Sequence, residues 1–197
     1  MPSNLTRRQI LAASAAALIV PAPALALNEN EARRLIDSAL SEVNAAISAS
    51  RSEAQMYQAF ERIFSRYADV PTIARSALGV AARSATRAQL DAFTPAFRAY
   101  ISHKYGRRFR EFIGSRFEVT GARPVKSFYE VSSIAHLRGE APFEVRWHVS
   151  DRSGRYLFFN IIVEGVNMLA AERTEIGAML DRNRGNLDAL IADLGRV

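Results

Sequence analysis

Apolar residues recur every three to four positions through the first two-thirds of the chain and every second position after Phe117, so helices give way to strands. Asn28 and Glu31 fit a capping box, and Leu35, Ile36, Leu40, Val43 and Ile47 continue it as a first helix that lapses at Ser48-Ala49-Ser50. A second helix carries Met56, Tyr57, Phe60, Ile63, Phe64 and Tyr67 on one stripe. Asp69 and Pro71 start a short third helix, and Gly79 after Leu78 is expected to be its left-handed cap. Thr86 and Gln89 open a fourth, with Leu90, Phe93, Phe97, Tyr100, Ile101, Tyr105, Phe109 and Phe112 on its apolar face. Pro95 is expected to kink that helix or delay its start.

From Phe117 to Val119 the alternation marks a strand, interrupted at Gly121–Pro124, and 125–137 alternates more weakly. Phe143 to Val149 alternates cleanly, one face apolar and one wet. Beyond a turn at Asp151–Gly154, Tyr156 to Val163 is apolar on both faces, as for a central strand covered from both sides. Ala171 to Leu194 is helical again, broken at Arg184-Gly185-Asn186. The order predicts an α+β fold: N-terminal helices on one face of a twisted antiparallel sheet, then C-terminal helices.

The start of the chain changes the picture. Arg7 and Arg8 precede an apolar run from Ile10 to Val20, and Ala24-Leu25-Ala26 offers an A-x-A cleavage site. The run is too short for a membrane span, which needs about 20 residues. Residues 1–26 are therefore expected to be a signal peptide, with residues 27–197 a single domain. Thr6-Arg7-Arg8-Gln9-Ile10-Leu11 resembles a twin-arginine signal, though Sec signals also carry paired arginines. The net charge of +6 falls to +4 once Arg7 and Arg8 are removed. The chain has no cysteine, so the fold uses no disulfides. Only Lys104 and Lys126 are lysines, and the arginine-rich balance favours anionic partners such as phospholipid head groups. Nucleic acid is not expected outside the cytoplasm.

The order Asp69-Val70-Pro71-Thr72-Ile73-Ala74-Arg75-Ser76-Ala77-Leu78-Gly79, then Ala85-Thr86 with Gln89, then Phe93 and Phe97, resembles the helical half of the MlaC-type proteins. Val163-Glu164-Gly165-Val166, Arg173 and the tail from Asn186 to Leu194 resemble their sheet half and C-terminus. These are the toluene-tolerance or organic-solvent-resistance proteins, auxiliary components of an ABC transporter that maintains outer-membrane lipid asymmetry. Val80-Ala81-Ala82, Tyr156, Asn160, Asn167 and Ile176 depart from the family pattern.

The resemblance implies a periplasmic carrier of phospholipid between outer- and inner-membrane complexes. Its partners would be an inner-membrane ABC transporter complex and an outer-membrane lipoprotein complex, with transient membrane contact. No cofactor is implied; the lipid is cargo. The alternatives are a hopanoid or other isoprenoid cargo, for which Ala81, Ala82 and Ile176 would leave room, and a non-lipid periplasmic adaptor with a filled core.

Each buried methylene is worth about 0.8 kcal/mol, so two acyl chains with roughly 28 methylenes hold to a membrane by on the order of 20 kcal/mol. A carrier must offer an apolar cavity between its layers. The expected walls are Phe143, Val145 and Trp147; Phe159, Ile161 and Val163; and Phe93, Phe97, Tyr100 and Ile101. Arg107, Arg108 and Arg110 form the expected membrane or partner docking face. Pro95 and Gly185 are expected flex points.

An enzyme is not expected. His103, His136 and His148 are scattered, with His148 on a wet strand face beside Glu144 and Arg146. No HExxH, Gly-x-Ser-x-Gly or phosphate loop occurs. No metal-ligand spacing occurs either. Glu172 and Glu175 are expected to face water.

Overall fold

Capping chemistry sets most helix boundaries in the computed structural model, which describes residues 28–49, 52–107 and 114–196. The signal-peptide reading of residues 1–26 falls outside them, as do Arg108, Phe109, Arg110 and Phe112. Helix α1 spans Glu29–Ala49, with the Asn28 side chain accepting from the Glu31 amide at 2.9 Å. Helix α2 spans Glu53–Tyr67 behind a full capping box of Ser52 and Gln55. Helix α3 spans Val70–Leu78; buried Asp69 caps it by accepting from the Thr72 amide, and Pro71 sits in the first turn, where a missing N–H costs nothing. Helix α4 spans Arg87–Gly106 behind the Thr86/Gln89 capping box, so Pro95 lies inside the helix and does not delay its start.

Gly79 does not end α3 as a left-handed cap. Its φ of 63° is positive, but with ψ at −129° the chain passes directly into the 3-10 turn Gly79–Arg83. The Ser76 carbonyl accepts from the Gly79 amide and from a distant donor as well. Arg173 lays its aliphatic chain over Gly79 and donates from Nε to the Ser76 carbonyl at 2.7 Å. Arg173→Ala is expected to lower stability by about 1 kcal/mol through this lost cap, read as a shift in the urea midpoint at constant slope.

The sheet is an antiparallel meander in the order β1-β2-β3-β4-β5. Its strands are β1 (Arg116–Val125), β2 (Phe128–His136), β3 (Phe143–Ser150), β4 (Leu157–Val163) and the two-residue β5 (Val166–Asn167). The expected interruption at Gly121–Pro124 is a bulge: Val119 pairs with Ser133 and Gly121 with Ser132, leaving Thr120 as the extra residue. Pro124 is tolerated because β1 is an edge strand. The weak alternation of 125–137 is a hairpin turn at Lys126 and Ser127 followed by β2.

Strand β4 is not central. Among the described residues, only β5 and a single parallel bridge from Ala68 to Phe158 lie beyond it, the Asp69 amide donating to the Phe158 carbonyl at 2.8 Å. Its two-faced apolarity has another origin, a bulge described below.

Helix α5 (Met168–Arg182) and α6 (Leu187–Leu194) complete the chain, separated by Arg184 and Gly185, both at positive φ. Asn186 caps α6 by accepting from the Ala189 amide. Helix α1 lies across β1, β2 and β3, while α3 and α5 lie against β4. Helix α4 packs chiefly on α2, α3 and α6. One apolar core joins both layers, and no helix among the described residues is long and apolar enough to cross a membrane.

Candidate functional site

Strand register assembles an apolar floor on the helix-facing side of the sheet. Trp147 pairs with Val131 and Ile161, and Val145 with Ser133 and Val163, so these side chains share one face. Phe143 stands beside Ala135 and Phe117 in the next row. Burial is uneven across this floor: Val145 and Trp147 are buried, whereas Phe143 and their β4 neighbours Ile161 and Val163 are half-buried. Ser133 is the one polar group in its middle. It donates to the Val145 carbonyl (3.1 Å) and accepts from Trp147 Nε1 (3.0 Å), which fixes the indole.

Phe159 does not join Ile161 and Val163. The pairing shifts between His148 and Val149, so Phe158, opposite Val149, turns inward against Trp147 (5.4 Å) and Phe64 (6.4 Å). The Phe159 ring lies against Phe128 (5.5 Å) and His148 (5.7 Å), on the other face. Period-two counting crosses this bulge without registering it, and so exchanges the two phenylalanines.

The α4 residues form a separate group. Phe93 and Phe97 are stacked at 5.7 Å and almost wholly buried, with Tyr100 and Ile101 also buried in the same core. Their helix has its nearest backbone neighbours in α2, α3 and α6, and the four side chains share one apolar core with Val145 and Trp147. Arg107 is exposed and donates to the Tyr57 hydroxyl at 3.4 Å, beside His103, which stacks on that ring at 4.6 Å. Gly106 permits this closeness, since a Cβ there would meet the Tyr57 ring at 2.6 Å.

Glu172 and Glu175 do not both face water. Glu172 lies one turn before fully buried Ile176 on the inward stripe of α5, and its own side chain is 5 % exposed. Lys104 compensates it with an ion pair at 2.8 Å, and the Tyr105 hydroxyl donates to the same oxygen. The other oxygen, Oε2, has no partner among the described residues. Glu175 accepts from Lys104 and from the Tyr100 hydroxyl. Burial alone would raise the Glu175 carboxyl, but the hydrogen bonds from Lys104 and Tyr100 outweigh it and hold the group below its ordinary range. This cluster pins α5 to α4.

On the outer sheet face Glu130 is buried and holds Arg123 (2.5 Å), Arg146 (3.6 Å) and His148 (3.4 Å). Its carboxyl is held low because the hydrogen bond and charge of Arg123 outweigh desolvation. Burial pushes His148 below its ordinary pKa despite Glu130, so the imidazole is neutral. It then donates from Nε2 to Glu130 and accepts at Nδ1 from Asn160 Nδ2 at 3.4 Å. His148 is therefore on the expected face but sheltered, because Phe128 (4.6 Å) and Phe159 flank it. Asn160 is a satisfied buried amide, its Oδ1 accepting from the Leu169 and Ile161 amides.

Neither titratable cluster offers a nucleophile beside a free base. Among the described residues no group of three or more His, Asp or Glu side chains is placed to hold a metal ion. The arrangement is one of contact and shape: an apolar floor, buried on β3 at Val145 and Trp147 and more open at Phe143 and on β4 at Ile161 and Val163, under a helical layer. Sequence reasoning missed Phe158 and Ser133, and the only signal for Ser133 was a lone hydroxyl residue on an apolar strand face.

Residues 33–196 match the protein-family model described as MlaC protein. The fold is similar to that of a solved phospholipid-binding protein from Ralstonia solanacearum, determined in complex with a phospholipid. That likeness has a TM-score of 0.72 at 15 % sequence identity and covers 84 % of this chain and 96 % of the other.

Proposed function

The chain belongs to the MlaC family, and from that premise we propose that it is a periplasmic carrier that holds phospholipid against the helix-facing floor of its sheet and performs no chemistry on it. The match to the family across nearly all of the described chain carries this reading. The floor supports it physically: Phe143, Ile161 and Val163 are apolar and pack against the core, yet each keeps part of its surface uncovered by protein. Apolar surface left in that position is stabilised by acyl chains at about 25 cal/mol per Å² of area removed from water. Residues 27–197 act as one domain, exported by the leader before it. Exchange takes place with an inner-membrane transporter complex and an outer-membrane lipoprotein complex, as in the rest of the family.

The contact set differs from the one expected from sequence. Phe143, Val145, Trp147, Ile161 and Val163 line the lipid, with Phe158 in place of Phe159. Phe93, Phe97, Tyr100 and Ile101 hold the helical layer together behind it. A charge on the floor tests this. Val163→Asp is expected to reduce uptake of fluorescent phospholipid from liposomes at least ten-fold, because an unpaired carboxylate would face the acyl chains. Phe159→Ala is expected to leave uptake within about two-fold, a loss under roughly 0.4 kcal/mol. Equal uptake by Val163→Asp and the parent chain would refute the assignment of the floor.

A further inference from the structure

Helices α2 and α4 run antiparallel: Arg98 meets Glu61 at 3.0 Å, and further along α4 Arg107 meets Tyr57, earlier on α2. The outward side of α2 carries Gln58, Glu61, Arg62, Ser65 and Arg66 at helical spacing, while Met56, Ala59, Phe64 and Tyr67 are buried on the other side. These outward residues, with Arg98 and with Arg155 from the β3–β4 turn, line a surface groove of about 520 Å³. Four arginines face one carboxylate in it. Arg98 is held by Glu61, and Arg66 by Glu42 at 2.7 Å from outside the groove. Among the described residues, Arg62 and Arg155 have no ion-pair partner. Arg66 also borders a second groove, with Arg34 and Tyr156, and Arg107 extends the basic surface along the α2–α4 seam.

We propose that this groove is a docking site for an acidic polypeptide segment of a partner protein. Guanidinium forks suit carboxylates, and two of the four are already oriented by acids. The groove is a shallow, open depression between two helices and a turn, shaped for an extended segment whose Asp or Glu side chains meet the guanidinium groups. Apolar anchors for a membrane are lacking there. The large exposed hydrophobic residues among those described are Val80 and Val166, on the 3-10 turn and β5, and neither lines the groove. Because it lies on the opposite side of α2 from the core, its occupancy does not depend on what the core carries.

The test measures anisotropy of a fluorescein-labelled octaglutamate peptide titrated with the full chain at low salt. Wild type is expected to bind, with affinity falling steeply as salt is raised. Arg62→Glu with Arg155→Glu is expected to bind at least ten-fold more weakly at an unchanged melting midpoint. Arg83→Glu with Arg138→Glu makes the same charge change at exposed sites outside the groove and is expected to bind within two-fold of wild type. Failure of wild type to bind, unchanged binding by the groove variant, or an equal loss in both variants would overturn the proposal. So would binding of phosphatidylglycerol vesicles, but not of the peptide, that depends on Arg62 and Arg155.

Discussion

Replacing Lys104 with methionine is expected to destabilise the chain by about 3–5 kcal/mol, among the largest single effects in the molecule. Lys104 is the ammonium shared by Glu172 and Glu175, and Glu172 is almost wholly buried. Methionine keeps the side chain's bulk and removes only the charge. Two carboxylates are then left side by side, one without water, and breaking half of a buried pair costs far more than the intact pair contributes. Urea unfolding at pH 7 measures the loss. Two controls separate charge from packing. Adding Glu172→Met and Tyr105→Phe to the same chain is expected to restore more than half of the stability, because no buried charge or orphaned hydroxyl remains. Lowering the pH toward 4 is expected to narrow the gap between Lys104→Met and wild type, since protonation neutralises the orphaned carboxylate.

The wild type moves the other way with pH. The folded pKa of Glu175 is depressed, so its contribution is present above the ordinary carboxylate pKa and is lost as pH falls through the folded value. Glu130 on the outer sheet face follows the same sign. Both predict acid loosening below the usual carboxylate range.

Phe97→Ala is expected to cost about 3–5 kcal/mol in the lipid-free chain, the range for emptying a fully buried phenylalanine site. Phe97 is 0 % exposed and stacked on Phe93, inside the packing of α4 with α2, α3 and α6. On the proposed contact set, the loss belongs to the protein's own core and not to the lipid contact. Phospholipid affinity, measured well below the melting midpoint, is therefore expected to stay within about two-fold. A phenylalanine lining the cargo would show the reverse pattern, with a modest stability change and a large loss of affinity. Paired measurements on Phe97→Ala and Val163→Asp thus separate core from lining.

Local sequence signals mark the element order correctly. Asp69 with Pro71, Thr86 with Gln89, and Asn186 mark helix starts because their side chains satisfy orphan amides within three residues. Non-local features were hidden. The Phe158/Phe159 exchange arises from a one-residue shift in pairing with β3, which no alternation in β4 alone reveals. Glu172 reads as a surface acid until Lys104, 68 residues away, is folded against it. The periodicity of α4 correctly marks Phe93 and Phe97 as inward-facing, but cannot say whether that means the sheet or other helices. The docking face expected at Arg107, Arg108 and Arg110 followed the densest run of basic residues. Arg108 and Arg110 lie outside the described residues, and the separate basic groove gathers Arg62, Arg66, Arg98 and Arg155 from three elements far apart in sequence.

Native mass spectrometry of the chain purified from periplasm, with organic extraction of any adduct, tests the carrier assignment most directly. The account predicts a bound phospholipid at defined stoichiometry, displaced when Val163 is replaced by aspartate. A hopanoid adduct would keep the fold and change the cargo. A clean apo mass, with no uptake from labelled liposomes, would contradict the account and leave a protein-binding adaptor with a filled core.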